Sequence, residues 1–138
     1  ARVARRSGRS MIYIDTSIVV AHLLAEARFP PEALWNEDLA SSRLLEYELW
    51  NRLHARGLAK HYEDDAREVL QRISFYELSP IVLARALESF PEPVRTLDGL
   101  HLATLHHVQS RHPSVQLASY DEKLASCARH MRCELYPL

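Results

Sequence analysis

A chain of 138 residues with 47% apolar content and a formal charge of −1 can bury one domain-sized core without disulfide or metal staples, and no apolar run approaches the roughly 20 residues of a membrane span. The near balance hides an asymmetry: residues 1–10 hold four of the 17 lysines and arginines and no acid, which leaves 13 bases against 18 acids in residues 11–138. An acidic domain is a poor nonspecific partner for nucleic acid, so any such activity requires local positive patches or metal ions among clustered carboxylates.

Met11 stands immediately before the first strand. Residues 1–10 are therefore expected to be a disordered basic remnant rather than a nucleic-acid-binding arm, and residues 11–138 the domain. Met11 to Ile14 carry no charge and two β-branched residues, the pattern of a buried parallel strand. Asp15 falls where that strand must stop, and Thr16 and Ser17 are expected to cap the helix suggested by Ile18 to Leu24. Phe29-Pro30-Pro31 breaks the chain and opens a short helix over Glu32 to Glu37. Leu39 to Ser41 reads as a strand, and Ser42 caps a long helix running to about Arg56, stopped by Gly57. Lys60 to Arg72 is a second amphipathic helix, whose Glu63-Asp64-Asp65 run is a solvated, dipole-favoured start.

Ile73 to Leu78 is strand-like, and Pro80 opens a helix that ends near Phe90-Pro91-Glu92-Pro93. Thr96 is expected to cap a helix over Leu97 to Gln109, which His112-Pro113 terminates. Val115 to Ala118 is the next buried strand, Asp121 to Met131 a helix, and Glu134 to Tyr136 an edge strand. Strands alternating with helices predict an α/β sandwich around a mainly parallel sheet. Cys127 and Cys133 have neither CxxC spacing nor the density of a secreted scaffold, which implies unpaired thiols and a cytoplasmic location.

Four acids stand out. Asp121 follows its strand as Asp15 follows Met11 to Ile14, and two strand-end acids of a parallel sheet face the same edge. Asp98 starts a helix whose stripe continues through Leu102 and Leu105, so a carboxylate occupies an apolar line; a plain helix-start acid favoured by the dipole is the simpler alternative. Glu46 and Glu48 point about 160° apart on their helix, so one site can use only one of them, and periodicity leaves the choice open. Glu48 also precedes Arg52 by four residues, as a surface ion pair would. Converging carboxylates repel and raise one another's pKa unless a cation sits among them; hard oxygen donors favour Mg²⁺ or Mn²⁺, ions suited to phosphoryl chemistry.

Asp15-Thr16-Ser17 after a strand, Leu97-Asp98-Gly99-Leu100-His101-Leu102-Ala103-Thr104 opening a helix, and Ser119-Tyr120-Asp121-Glu122-Lys123-Leu124 resemble, in order and spacing, the PIN-domain nucleases and especially VapC-type toxins. The resemblance spans residues 11–138, and it departs from the common pattern at Gly99, where alanine is usual. It implies a PIN-like three-layer sandwich and a metal-dependent endoribonuclease that prefers single strands. It selects Glu48, with Glu46 as the fallback, and assigns Asp15, Asp98 and Asp121 as ligands of Mg²⁺ or Mn²⁺, directly or through water. Glu48 would complete the cluster and position the attacking water, and Ser119 would support an acidic neighbour. It further implies an RNA substrate, a homodimer, and a small antitoxin whose tail crosses the site, with Trp35, Tyr47 and Trp50 as candidates for that groove or the dimer face and a place in the core as the alternative for either tryptophan. A PIN nuclease of RNA processing, or a degenerate PIN module that only binds RNA or protein, are the alternatives.

Two other constellations carry less. His101, His106, His107 and His112 suggest zinc only as a list, because the adjacent pair diverges and no Cys or Asp completes tetrahedral spacing. An aspartyl-phosphate phosphatase would need a second acid two residues after Asp15, where Ser17 stands.

Overall fold

The computed structural model describes residues 9–138; the basic tail expected over residues 1–10 lies, but for its last two residues, outside that range. The chain enters the fold through backbone and charge contacts. Arg9 pairs with Asp38 at 3.6 Å, the Ser10 N–H donates to Glu37 Oε1, and the Ser10 carbonyl accepts from the Asp38 N–H.

Strand β1 (Met11–Ile14) alternates as a strand buried on both faces must: Ile12 and Ile14 enter one core and Tyr13 the other. Helix α1 (Thr16–Leu23), a 3₁₀ turn (Glu32–Asn36), β2 (Asp38–Ser42), α2 (Leu44–Ala55), α3 (Glu63–Gln71), β3 (Ile73–Tyr76), α4 (Pro80–Ala86), α5 (Thr96–Arg111), β4 (Gln116–Ala118), α6 (Glu122–His130) and β5 (Glu134–Leu135) follow in order. The five strands run in the order β3-β2-β1-β4-β5, and every pairing is parallel, so the sheet expected to be mainly parallel is wholly so among the described residues. Ile18, Val19, Leu45, Leu49 and Val69 from α1 to α3 pack on Ile12 and Ile14. Leu102, Leu105, Leu124 and Ala128 from α5 and α6 pack on Tyr13 and Leu117. The result is a three-layer α/β/α sandwich.

The strand order decides where a ligand can sit. From β1 the chain steps outward through β2 to β3, then returns to the other side of β1 for β4 and β5, so the direction of winding reverses between β1 and β4. At such a reversal the flanking crossovers leave on opposite faces and open a crevice beyond the strands' carboxyl ends. Ile14 and Ala118 are paired residues there, which sets Asp15 and Ser119 side by side at its floor.

Two glycines illustrate how local backbone chemistry bounds the helices. Gly57 has φ +69°, its N–H donates to the His54 carbonyl, and the Leu58 N–H donates to the Leu53 carbonyl, closing α2 with a Schellman motif. Gly99, in the first turn of α5, has no such need: an added Cβ would meet only Val94 and Phe90 side chains, at 3.6 and 3.7 Å. Gly57→Ala is expected to destabilise the fold by about 1–2 kcal/mol through left-handed strain. Gly99→Ala should stabilise it by up to about 1 kcal/mol through helix propensity. Paired thermal melts, with shifts of opposite sign, check both.

Candidate active site at the carboxyl ends of the central strands

Asp15 is the most buried of the four acids, only 6% exposed at the end of β1. A carboxylate in that position needs donors, and two hydroxyls supply them. Ser17 Oγ donates to Asp15 Oδ1 at 2.6 Å, and Ser119 Oγ donates to Oδ2 at 2.7 Å. Both hydroxyls also accept a backbone bond, from the N–H of Tyr120 and of Asp121 respectively, which ties the loop after β4 to the acid after β1. Ser17 and Thr16 therefore do not cap α1 as expected. Asp15 itself occupies the N-cap position without a side-chain capping bond, because its oxygens are engaged elsewhere.

Thr16 faces the other way and donates to Glu48 Oε1 at 2.7 Å. His101 Nε2 lies 2.6 Å from the same oxygen, and Tyr13 Oη lies 2.8 Å from His101 Nδ1. A carboxylate can only accept, so Nε2 carries the proton in this contact. The chain Tyr13, His101, Glu48, Thr16 joins β1, α5, α2 and α1. Glu48 Oε2 has no hydrogen-bond partner among the described residues. No ion pair joins Glu48 to Arg52; the surface-pair alternative gives way to an inward-facing contact set. Glu46 points outward, 3.5 Å from Arg43, which also holds Glu77 at 2.9 Å.

Asp121 is the N-cap of α6: its Oδ1 accepts from the N–H groups of Lys123 and Leu124. Asp98 is half-buried in the first turn of α5 and accepts no hydrogen bond among the described residues. Thr96, expected as the cap of that helix, lies inside it, with Arg95 at the N-cap and no capping side chain.

Burial pushes the Asp15 carboxyl above its usual 3.8, and Asp121 adds to the rise against the Ser17, Ser119 and His101 interactions. Burial also raises Asp98, helped by the Asp121 charge and, more weakly, by Glu48, while His101 and Arg95 oppose. A helix-start acid governed by the dipole would shift downward; burial, reinforced by the neighbouring carboxylates, outweighs that here. Glu48 does not follow the rise expected of crowded acids. Burial alone would raise it, but the His101 hydrogen bond and charge, then Thr16 and Arg52, outweigh burial and hold it below 4.5.

The donor set is all hard oxygen, with charge in excess of the local cations, which fits a divalent ion such as Mg²⁺ that retains much of its own water. Among the described residues no three His, Cys, Asp or Glu side chains stand in a ready-made coordination shell. Water would have to fill part of it. His101 is the residue that sequence reasoning passed over: it was weighed only for zinc, although it lies three residues after Asp98 and so shares that acid's helix face. Trp35 packs against the core, with His22 at 4.6 Å between ring centroids, whereas Tyr47 is 63% exposed and Trp50 lies under the Arg67 guanidinium.

Residues 12–130 match the PIN domain family. The chain is 30% identical over 124 residues to Ribonuclease VapC35 of Mycobacterium tuberculosis (strain CDC 1551 / Oshkosh), covering 86% of this chain and 90% of that protein, and equally similar to its counterpart in strain ATCC 25618 / H37Rv. It is 30% identical over 128 residues to Ribonuclease VapC47 of the first strain, covering 88% and 92%.

The raised acids set a pH dependence. Between 3.8 and the raised values the unfolded chain releases protons that folded Asp15 and Asp98 retain, so their contribution to stability is greatest at low pH and is lost as pH rises through the folded values. Glu48 has the opposite sign: its contribution is present above 4.5 and is lost as pH falls through its lowered value. Asp98→Asn removes one of the raised acids and is expected to melt higher than wild type near pH 7 in chelator. Coincident melting curves across pH 4–8 would show that Asp98 does not interact with the other carboxylates.

Proposed function

The chain belongs to the PIN-domain family, with VapC-type nucleases among its relatives, and on that premise we propose that it is a metal-dependent endoribonuclease acting as the toxin of a toxin–antitoxin pair. The observation that carries the reading is the approach of Asp15, Glu48, Asp98 and Asp121 to one crevice at the β1/β4 reversal, with Asp15 and Asp98 raised in pKa by burial and by their neighbours. The names of the relatives supply the substrate class.

In this reading Asp15, Asp98 and Asp121, with Glu48, hold Mg²⁺ or Mn²⁺ directly or through water. The ion, when bound, offsets the charge of the phosphodiester and makes a water more acidic. Ser119 is a positioning residue: its hydroxyl holds Asp15 Oδ2 and its oxygen fixes the backbone that carries Asp121. Glu48 is kept ionised by His101 and Thr16 at Oε1, which leaves Oε2 to accept a hydrogen bond from the attacking water and aim it. A carboxylate held below its usual pKa is a weak base, so its part is orientation more than full proton removal. Asp98 offers both oxygens.

A small antitoxin covering this crevice and a homodimer complete the proposal. Exposed Ile81 (68%) and Leu87 (89%), on and just after α4, support an apolar face for association. Among the described residues no helix is long and apolar enough to cross a membrane, and a cytoplasmic setting accords with the free thiols of Cys127 and Cys133.

Asp98→Asn and Glu48→Gln are each expected to lower cleavage of single-stranded RNA in Mg²⁺ or Mn²⁺ by two or more orders of magnitude with native circular dichroism. Glu46→Gln should remain within a few fold of wild type. Full activity in folded Asp98→Asn would end the metal-nuclease reading. In a bacterial host, residues 11–138 are expected to slow growth, with relief from Asp15→Asn; normal growth despite active protein would favour an RNA-processing enzyme without an antitoxin.

A further inference from the structure

Beside the carboxylates lies a cavity of about 520 Å³ with a different chemistry, lined by Ser17, Arg28, Arg52, Tyr120 and Asp121 among others. Ser17 and Asp121 belong also to the acid centre, so the two spaces share a wall. Arg28 stacks over the Tyr120 ring, with its guanidinium carbon 5.0 Å from the ring centroid. Arg52 lies one turn after Glu48 on α2 and is near enough to lower its pKa, yet forms no ion pair with it. Neither arginine is engaged in an ion pair among the described residues, although Glu26 also lines the cavity. In a domain with more acids than bases, two guanidinium groups without an ion pair at the edge of an acidic centre, one of them held over Tyr120, form a local reversal of charge.

We infer that this cavity is a nucleotide subsite for single-stranded RNA: Arg28 and Arg52 hold a phosphate next to the one being cut, and Tyr120 stacks on the adjoining base. This inference rests on the ribonuclease reading of the acid centre and says which side of it the strand occupies. The physical need is plain. Four carboxylates repel a polyanion, and a metal ion offsets that only at the reacting phosphate; the flanking phosphate requires protein cations. Guanidinium groups suit it because they present several donors in a plane to phosphate oxygens. An aromatic ring beside them is the common means of holding an unpaired base, and it tolerates any base. Tyr120 is well placed to transmit position, because its N–H is bonded to Ser17, whose hydroxyl is bonded in turn to Asp15.

The test is binding of a fluorescently labelled single-stranded oligoribonucleotide, with chelator present to stop cleavage, followed by anisotropy from about 50 to 200 mM salt. Wild type should show log affinity falling linearly with log salt. Arg28→Gln/Arg52→Gln should bind more weakly and lose about 0.7 from that slope, the share of the one single-strand phosphate that the two arginines hold. Arg28→Lys/Arg52→Lys, which retains charge, should recover most of the slope. Tyr120→Leu should weaken binding by about tenfold without changing the slope. An unchanged slope in the glutamine variant, with metal-dependent RNA cleavage intact, would overturn the subsite and leave the nuclease reading standing. Absence of RNA binding and cleavage by wild type, with or without metal, would overturn both. Binding of an acidic peptide but not of RNA through these arginines would assign the cavity to a protein partner and also overturn the inference.

Discussion

The structure turns on the burial of one charge. Asp15 lies at the end of a strand flanked on both sides by others, where water reaches little of it, and an ionised carboxylate there is tolerable only with donors on both oxygens. Ser17 answers from the next turn of chain. Ser119 answers from across the sheet, and it can do so only because β4 is the strand beside β1. The same pairing sets the crevice, delivers Asp121, and leaves α5 to bring Asp98 and His101 over the far side. Even with both donors, burial still raises the Asp15 pKa, so the site retains an unmet demand for positive charge.

The acids do not answer that demand in the same way. Glu48 has a direct hydrogen-bond partner in His101, itself held from behind by Tyr13, and is stabilised as an anion. Asp98 has no hydrogen-bonding partner among the described residues and is raised. One centre thus contains a carboxylate committed to a fixed orientation and another left available to a ligand. This division of labour is more informative than the count of acids, because repulsion alone would have raised all of them.

How much of this was legible in the sequence follows from the range of each interaction. Asp15 and Asp121 were visible because strand, acid and helix succeed one another within a few residues, and the uncharged, β-branched run of Met11 to Ile14 marked a buried parallel strand. The alternation of elements gave the sandwich, and the fully parallel sheet is what that alternation produces when every crossover is helical. The choice between Glu46 and Glu48 was open to periodicity, since both faces of α2 carry acids; the residues that separate them, Thr16, His101 and Arg43, come from other elements or from the turn before the helix. His101 shares the helix face of Asp98, but its role was hidden for the same reason: its partners are 53 and 88 residues away. Thr16, Ser17 and Thr96 were read as caps because small hydroxyl residues at helix starts usually are, and for Thr16 and Ser17 tertiary contacts overrode that local preference.

The distance along the chain between the two halves of the centre also has a temporal side. Asp15 and Ser119 meet across 104 residues, and β1 completes its ladder only when β4 arrives. At bacterial or eukaryotic elongation rates of roughly 5–20 residues per second, about 5–20 s separate the emergence of the first acid from that of its partner serine. During that interval β1, β2 and β3 can pair, but the crevice lacks one wall and Asp15 lacks one of its donors. Parallel pairing of such remote segments is slow to nucleate, because loop closure precedes any reward from the ladder. Until β4 and the loop after it have emerged the crevice is incomplete: a chain cut short before β4 keeps Asp15, Glu48 and Asp98 but lacks Ser119 and Asp121.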